Sequence, residues 1–146
     1  MAQAESGREA RIILVVDDDK LIRGDVTRLL REVLGADAEI IEAYDGRMAM
    51  QKLEATRAGI VLTDMRMPRM DGLALIEAAH SRWPEVQFIV LSNYDDFDYV
   101  KQSFQHGIVD YTLKYQIDQD TLRGLIEKAR AALSAYWHTS AYMTEM

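Results

Sequence analysis

The sequence predicts an α/β fold: a doubly wound, five-stranded parallel sheet with five helices. Three observations predict it. Short apolar runs alternate with helix-length amphipathic segments five times over, and strict β-α alternation implies parallel strands joined by right-handed crossovers. Most of the runs are continuous rather than alternating, which is how strands covered on both faces read. Glycine or proline closes the helical segments, at Gly35, Gly59, Pro84 and Gly107.

Residues 1–10 are small and polar, and a flexible N-terminus is expected there. RIILVV (11–16) reads as the first strand. Leu21, Val26, Leu29, Leu30 and Val33 then form a helical stripe that Gly35 stops. AEIIEA (38–43) is the second strand, and Met48, Ala49 and Leu53 support a short helix after Gly46. GIVLT (59–63) is the third strand. Leu73, Leu75, Ile76 and Ala79 give a helix from Gly72 to about Trp83, because Pro84 cannot continue it. VQFIVLS (86–92) is the fourth strand. Phe97, Val100, Lys101 and Phe104 mark a helix ending at Gly107, with Asp95 or Asp96 as its expected N-cap. VDYTLK (109–114) is the fifth strand. The last helix starts near Asp118 or Asp120, carries Leu122, Leu125, Ile126, Ala129 and Leu133, and is expected to reach Trp137. Residues 138–146 show no clear period and read as a tail or the start of a linker, leaving 11–137 as one domain. The arrangement fits a flavodoxin-like strand order, 2-1-3-4-5.

Composition narrows the function classes. A hydrophobic fraction of 49% supports a packed core. A net charge of −7 argues against a broad basic face that grips nucleic acid or an anionic membrane. With no cysteine there is no disulfide framework and no thiolate metal site. The N-terminus lacks the apolar core of a secretory signal, and no apolar run approaches the roughly 20 residues of a membrane span. A cytoplasmic protein is the expectation.

The chemistry gathers at strand ends. Asp17, Asp18 and Asp19 follow the first strand, Asp64 the third; Ser92 ends the fourth and Lys114 the fifth. In a parallel sheet all of them fall on one edge, where open α/β sheets bind ligands. Carboxylates crowded together repel, so ionising all of them calls for a cation. Oxygen-only donors open to water suit Mg²⁺ or Mn²⁺. The competing role is helix capping, for which Asp19 is the first choice. A hydroxyl and an ammonium on the same rim make a place for a tetrahedral anion. Taken singly, Ser92 reads as a turn residue and Lys114 as a solvated loop lysine; the joint pattern reverses both.

The motifs VVDDD, D-M-R-M-P-R-M-D-G, L-S-N-Y and D-Y-T-L-K, in this order and spacing, resemble the receiver domain of two-component response regulators. The segment SNYDDFDYVKQSFQHGIVDYTLK is similar to receivers whose regulators carry an AraC-type DNA-binding output domain. The resemblance implies that Asp64 is the phosphoacceptor, taking a phosphoryl group from a sensor histidine kinase. It implies that Asp17, Asp18, Asp64 and the backbone carbonyl of Arg66 hold Mg²⁺, Asp17 through water. Ser92 and Lys114 would contact the phosphoryl oxygens, and Tyr111 would be the aromatic switch that turns inward when Ser92 is recruited. The chain would then be a switch rather than an enzyme, assisting its own phosphorylation and dephosphorylation. Its partner face would lie on the last two βα units, including Phe97, Tyr99 and Phe104. A phosphorylation-dependent homodimer and a DNA-binding output domain outside this chain are the further partners implied.

Two features depart from the family pattern. Receivers usually have proline after the strand-end lysine, with a cis peptide; here Tyr115 follows Lys114. A cis bond before a non-proline residue costs about 2.5–4 kcal/mol, so a trans Lys114–Tyr115 bond and a reshaped loop are expected. Arg66 and Tyr94 put bulky side chains at the two variable positions flanking the phosphoacceptor, Asn93 stands where the family more often has a small residue, and together they are expected to limit the approach of water. Two alternatives stay in play. One is a haloacid-dehalogenase-like phosphatase using Asp17 and Asp19. The other is a receiver fold that no longer accepts phosphate and acts as a constitutive binding module.

Overall fold

The computed structural model describes residues 7–93 and 95–145. Five parallel strands run β1 (Glu9–Val16), β2 (Glu39–Ala43), β3 (Ala58–Asp64), β4 (Gln87–Ser92) and β5 (Asp110–Leu113), in the order β2-β1-β3-β4-β5. The helices are α1 (Lys20–Leu34), α2 (Gly46–Ala55), α3 (Gly72–Arg82), α4 (Phe97–Gln105) and α5 (Gln119–Glu145). This is the expected doubly wound sheet, flavodoxin-like in strand order.

The continuous apolar runs are buried on both faces because helices cover both. Leu14, Val61, Phe88 and Val90 face α2, α3 and α4 through Ala49, Leu53, Leu75, Ile76 and Val100. Ile13, Val15, Leu62 and Ile89 face α1 and α5 through Val26, Leu30, Leu122, Ile126 and Ala129. Successive strand residues point to opposite layers, so a one-residue slip in register would exchange the two cores.

Local chemistry sets the helix ends. Asp19 caps α1, its Oδ1 accepting the Leu21 and Ile22 N–H groups at 2.9 and 3.2 Å. Gly35 ends that helix at φ 65°, a conformation glycine adopts without a Cβ clash. Asp45, Asp71 and Asp118 each accept a backbone N–H from the first turn of α2, α3 and α5.

Three expectations need correction. β1 begins at Glu9, so Glu9 and Ala10 belong to the sheet and not to a flexible start; residues 1–6 lie outside the described residues. The reason is tertiary: the Arg8 guanidinium donates to the carbonyls of Leu53, Thr56 and Ala58 at 2.7, 3.0 and 3.3 Å and stacks on Trp83. The final helix passes Trp137 and continues to Glu145; no proline or glycine follows Gly124 to stop it. Asp96 occupies the N-cap position of α4 but its side chain makes no cap bond. It accepts the Asn93 N–H at 2.8 Å instead. No described peptide bond is cis, and Lys114–Gln116 forms a 3₁₀ turn, in line with the trans bond and reshaped loop expected after Lys114.

Candidate functional site

The strand order brings the sequence-predicted residues to one sheet edge. Asp17 follows β1, Asp64 ends β3, Ser92 ends β4 and Lys114 follows β5. Asp17, Asp64 and Ser92 are buried, while Asp18 is exposed. One carboxylate oxygen from each of Asp17, Asp18 and Asp64 lies within 4.8 Å of the others.

Backbone donors orient the two buried acids. Asp17 Oδ1 accepts the Asp19 N–H at 2.9 Å, and Asp64 Oδ1 accepts the Met65 N–H at 2.8 Å. Arg23 donates to the Asp17 carbonyl at 2.8 Å and is held from behind by Glu42 at 2.9 Å. Lys114 Nζ sits between the acids, 3.0 Å from Asp17 Oδ2 and 3.1 Å from Asp64 Oδ2. Asp17 Oδ2 has no aligned hydrogen bond beyond that ion pair.

The electrostatics show too little positive charge for the acids present. Burial, then the neighbouring Asp17 charge, pushes the Asp64 carboxyl up to about 6 despite Lys114. Burial likewise raises Asp17, against the opposing pull of the Asp19 N–H and Lys114. Burial alone would lower Lys114, but its two carboxylates outweigh it and hold the ammonium above its ordinary value. One ammonium therefore serves two buried acids, and the exposed Asp18 beside them has no ion pair among the described residues. An all-oxygen donor set with a deficit of positive charge fits a small hard divalent cation such as Mg²⁺ or Mn²⁺.

The loop after β3 is fixed on three sides. Gly72 N–H donates to the Met65 carbonyl at 2.9 Å. A Cβ at Gly72 would overlap the Asp64 carbonyl oxygen, so only glycine fits there. Gly46 N–H donates to the Met70 carbonyl at 3.2 Å. Arg69 adopts φ 66°, unusual for a side chain with a Cβ, and its guanidinium pairs with the buried Asp45 at 2.7 Å. That clamp gave no signal in the sequence, because it joins residues 24 apart.

The remaining residues line the far side. Ser92 Oγ is buried without a hydrogen-bond partner among the described residues. Beside it lies a mostly apolar cavity of about 420 Å³ lined by Ser92, Phe97, Val100, Phe104, Tyr111 and Leu113. The Tyr111 side chain is half-exposed and packs edge-on against Phe104, ring centroids 5.8 Å apart. Arg66 extends to Asp96 Oδ1 at 2.6 Å and lies over the Tyr99 ring at 5.6 Å. Asn93 and Tyr115 are exposed. Tyr94 lies outside the described residues.

The phosphatase alternative finds no support. Asp19, its second acid, is engaged in capping α1 through Oδ1.

Comparison with known proteins agrees with the geometry. The family model for the response regulator receiver domain matches residues 13–127. The transcriptional regulatory protein YesN of Bacillus subtilis is 38% identical over 116 residues, 79% of this chain and 31% of that protein. HptR of Staphylococcus aureus is 34% identical over 103 residues, 70% of this chain and 40% of that protein. The chain thus spans less than half the length of these curated relatives. Among solved structures, the REC domain of AraT from Geobacillus stearothermophilus superposes with a TM-score of 0.77 at 29% identity, covering 88% of this chain and 99% of that one. A two-component transcriptional regulator AraC from Clostridium phytofermentans gives a TM-score of 0.72 at 29% identity, covering 88% of this chain and 98% of that one. The paired acids, the strand-end lysine and this matched span together place the chain in the response regulator receiver domain family.

Proposed function

We propose that the chain is a phosphorylation-controlled switch whose phosphoacceptor is Asp64 and whose donor is a sensor histidine kinase. The observation that carries the reading is the buried Asp64 carboxylate, oriented by Met65 N–H and flanked by Lys114 and two further acids. Asp17, Asp18, Asp64 and the Arg66 carbonyl would hold Mg²⁺. Bound there, the ion would neutralise charge on the incoming phosphoryl group.

The protein's own part is alignment. An Asp64 oxygen forms the new O–P bond while the N–P bond of the donor phosphohistidine breaks; the electron pair returns to the imidazole nitrogen, which takes up a proton. Holding the carboxylate by Met65 N–H removes much of the orientational cost. Lys114 pairs with the phosphoryl oxygens, and the unpartnered Ser92 hydroxyl donates to another. Recruiting Ser92 draws its loop inward and makes room for Tyr111 to leave Phe104 for the cavity. The face around Phe97, Tyr99, Phe104 and α5 then changes shape, which biases a partner.

The relatives' lengths and names support an output domain beyond this chain, taken here to bind DNA, with transcription regulation as the readout; phosphorylation-dependent pairing of two copies is part of the same proposal. The acidic charge of this segment leaves DNA contact to that output domain. Among the described residues no helix is long and apolar enough to cross a membrane; the family supports a cytoplasmic site of action. Arg66, Asn93, Tyr94 and Tyr115 would tune the lifetime of the phosphorylated form.

Intact-mass spectrometry after acetyl phosphate and Mg²⁺ tests the reading. One added phosphoryl group, not formed when Mg²⁺ is chelated beforehand and absent from Asp64→Asn, is expected. An unmodified wild-type protein would make the chain a constitutive binding module instead.

A further inference from the structure

Asp96 is a buried carboxylate that neither the fold nor the phosphoryl site explains. It is fully buried at the start of α4 yet does not cap that helix. Its Oδ2 accepts the Asn93 N–H at 2.8 Å, so it holds the turn directly after Ser92. Its Oδ1 lies 2.6 Å from Arg66 Nε without an aligned hydrogen bond. A buried carboxylate needs a counter-charge, and removing one partner of such a pair strands the other. Arg66 supplies that charge from the opposite loop, two residues beyond Asp64. The same guanidinium donates to the Asp95 carbonyl at 3.1 Å, approaches the Asp95 carboxylate at 3.5 Å and covers Tyr99. One side chain thus bridges the loop carrying Asp64 to the loop carrying Ser92.

We infer that Arg66 and Asp96 form a latch that holds the Ser92 loop in its unphosphorylated arrangement, and that a phosphoryl group on Asp64 opens it by competing for Arg66. This rests on Asp64 being the phosphoacceptor. A phosphoryl group brings up to two negative charges and strong acceptor oxygens to the loop on which Arg66 sits. The guanidinium is half-exposed and sits two residues beyond Asp64, which gives it solvent access to turn toward that group. Its departure leaves Asp96 as an uncompensated buried charge, which destabilises the Asn93 turn and frees Ser92 to move. Arg66 is a positioning residue here, acting on Ser92 through Asp96.

The test measures Mg²⁺-dependent binding of beryllofluoride, a phosphoryl mimic, by calorimetry. Asp96→Asn keeps an oxygen for the Asn93 N–H but removes the charge that holds Arg66. It should bind the mimic about fivefold more tightly than wild type, at the lower end of coupling between sites. In an Arg66→Gln background the same substitution should give no tightening, which a general loss of packing would not reproduce. Equal or weaker binding by Asp96→Asn, or equal tightening in both backgrounds, overturns the latch. Failure of the wild type to bind the mimic overturns the phosphoacceptor reading itself. Should Asp96→Asn not fold, Asp96→Ser carries the same comparison, since it also removes the charge.

Discussion

Replacing Asp64 by asparagine should stabilise the metal-free protein at neutral pH. Asp64 has a carboxyl pushed up to about 6 in the fold, against 3.8 for a free aspartate. The folded state therefore binds a proton more readily than the unfolded chain does, so stability falls as pH rises between these values. The penalty is complete above about pH 6 and absent well below pH 4. At about 1.4 kcal/mol per pKa unit the shift corresponds to about 3 kcal/mol. Asparagine escapes that penalty and its Oδ1 still accepts the Met65 N–H, but the NH₂ in place of Oδ2 cannot accept from Lys114. A net gain of about 1–3 kcal/mol follows at pH 7.5. Urea unfolding in excess chelator, at pH 7.5 and pH 4, measures it. The gain should shrink to near zero at pH 4. A destabilised Asp64→Asn protein at pH 7.5, or an equal gain at both pH values, would refute the electrostatic account of the site.

Four further outcomes follow from the same contacts. Mg²⁺ at ten times its dissociation constant should stabilise the wild type by about 1.4 kcal/mol in thermal unfolding, and Asp17→Asn should abolish the effect. Lys114→Met should cost about 3–5 kcal/mol in chelator by leaving two buried acids unpaired; a loss under 1 kcal/mol would contradict the ion-pair geometry. Gly72→Ala should lower acetyl-phosphate labelling by displacing the Asp64 carbonyl, and full labelling would show that the loop yields. Arg8→Ala should cost about 1–3 kcal/mol through three lost carbonyl bonds, read as a lower urea midpoint with unchanged labelling.

The fold was legible because apolar runs such as GIVLT and VQFIVLS can be buried on both faces only in a sheet covered by helices. The helix ends were legible wherever a short polar side chain acts on its own first turn, as at Asp19. Features that depend on distant partners were not. Arg8 lies in a polar stretch, and its anchors just before β1, carbonyls 45–50 residues away and the Trp83 ring, are distant in sequence. Asp96 has the position of a helix cap and a different partner, because Arg66 competes for it across the site. Of the candidate site, the carboxylates, Ser92 and Lys114 could be read from their places at strand ends. The switch role proposed for Tyr111 and the proposed division of roles between Asp17 and Asp18 came only from the family resemblance, since an aromatic on a strand or an acid after one has no single local meaning.

The central claim is that Asp64 alone carries the phosphoryl group. Acyl phosphates are reduced by borohydride to the alcohol, so a phosphorylated aspartate becomes homoserine. After acetyl phosphate, Mg²⁺ and borohydride, peptide sequencing should place homoserine at position 64 and leave Asp17, Asp18 and Asp19 unchanged. Homoserine at any of those three positions, or none at 64, would contradict the account.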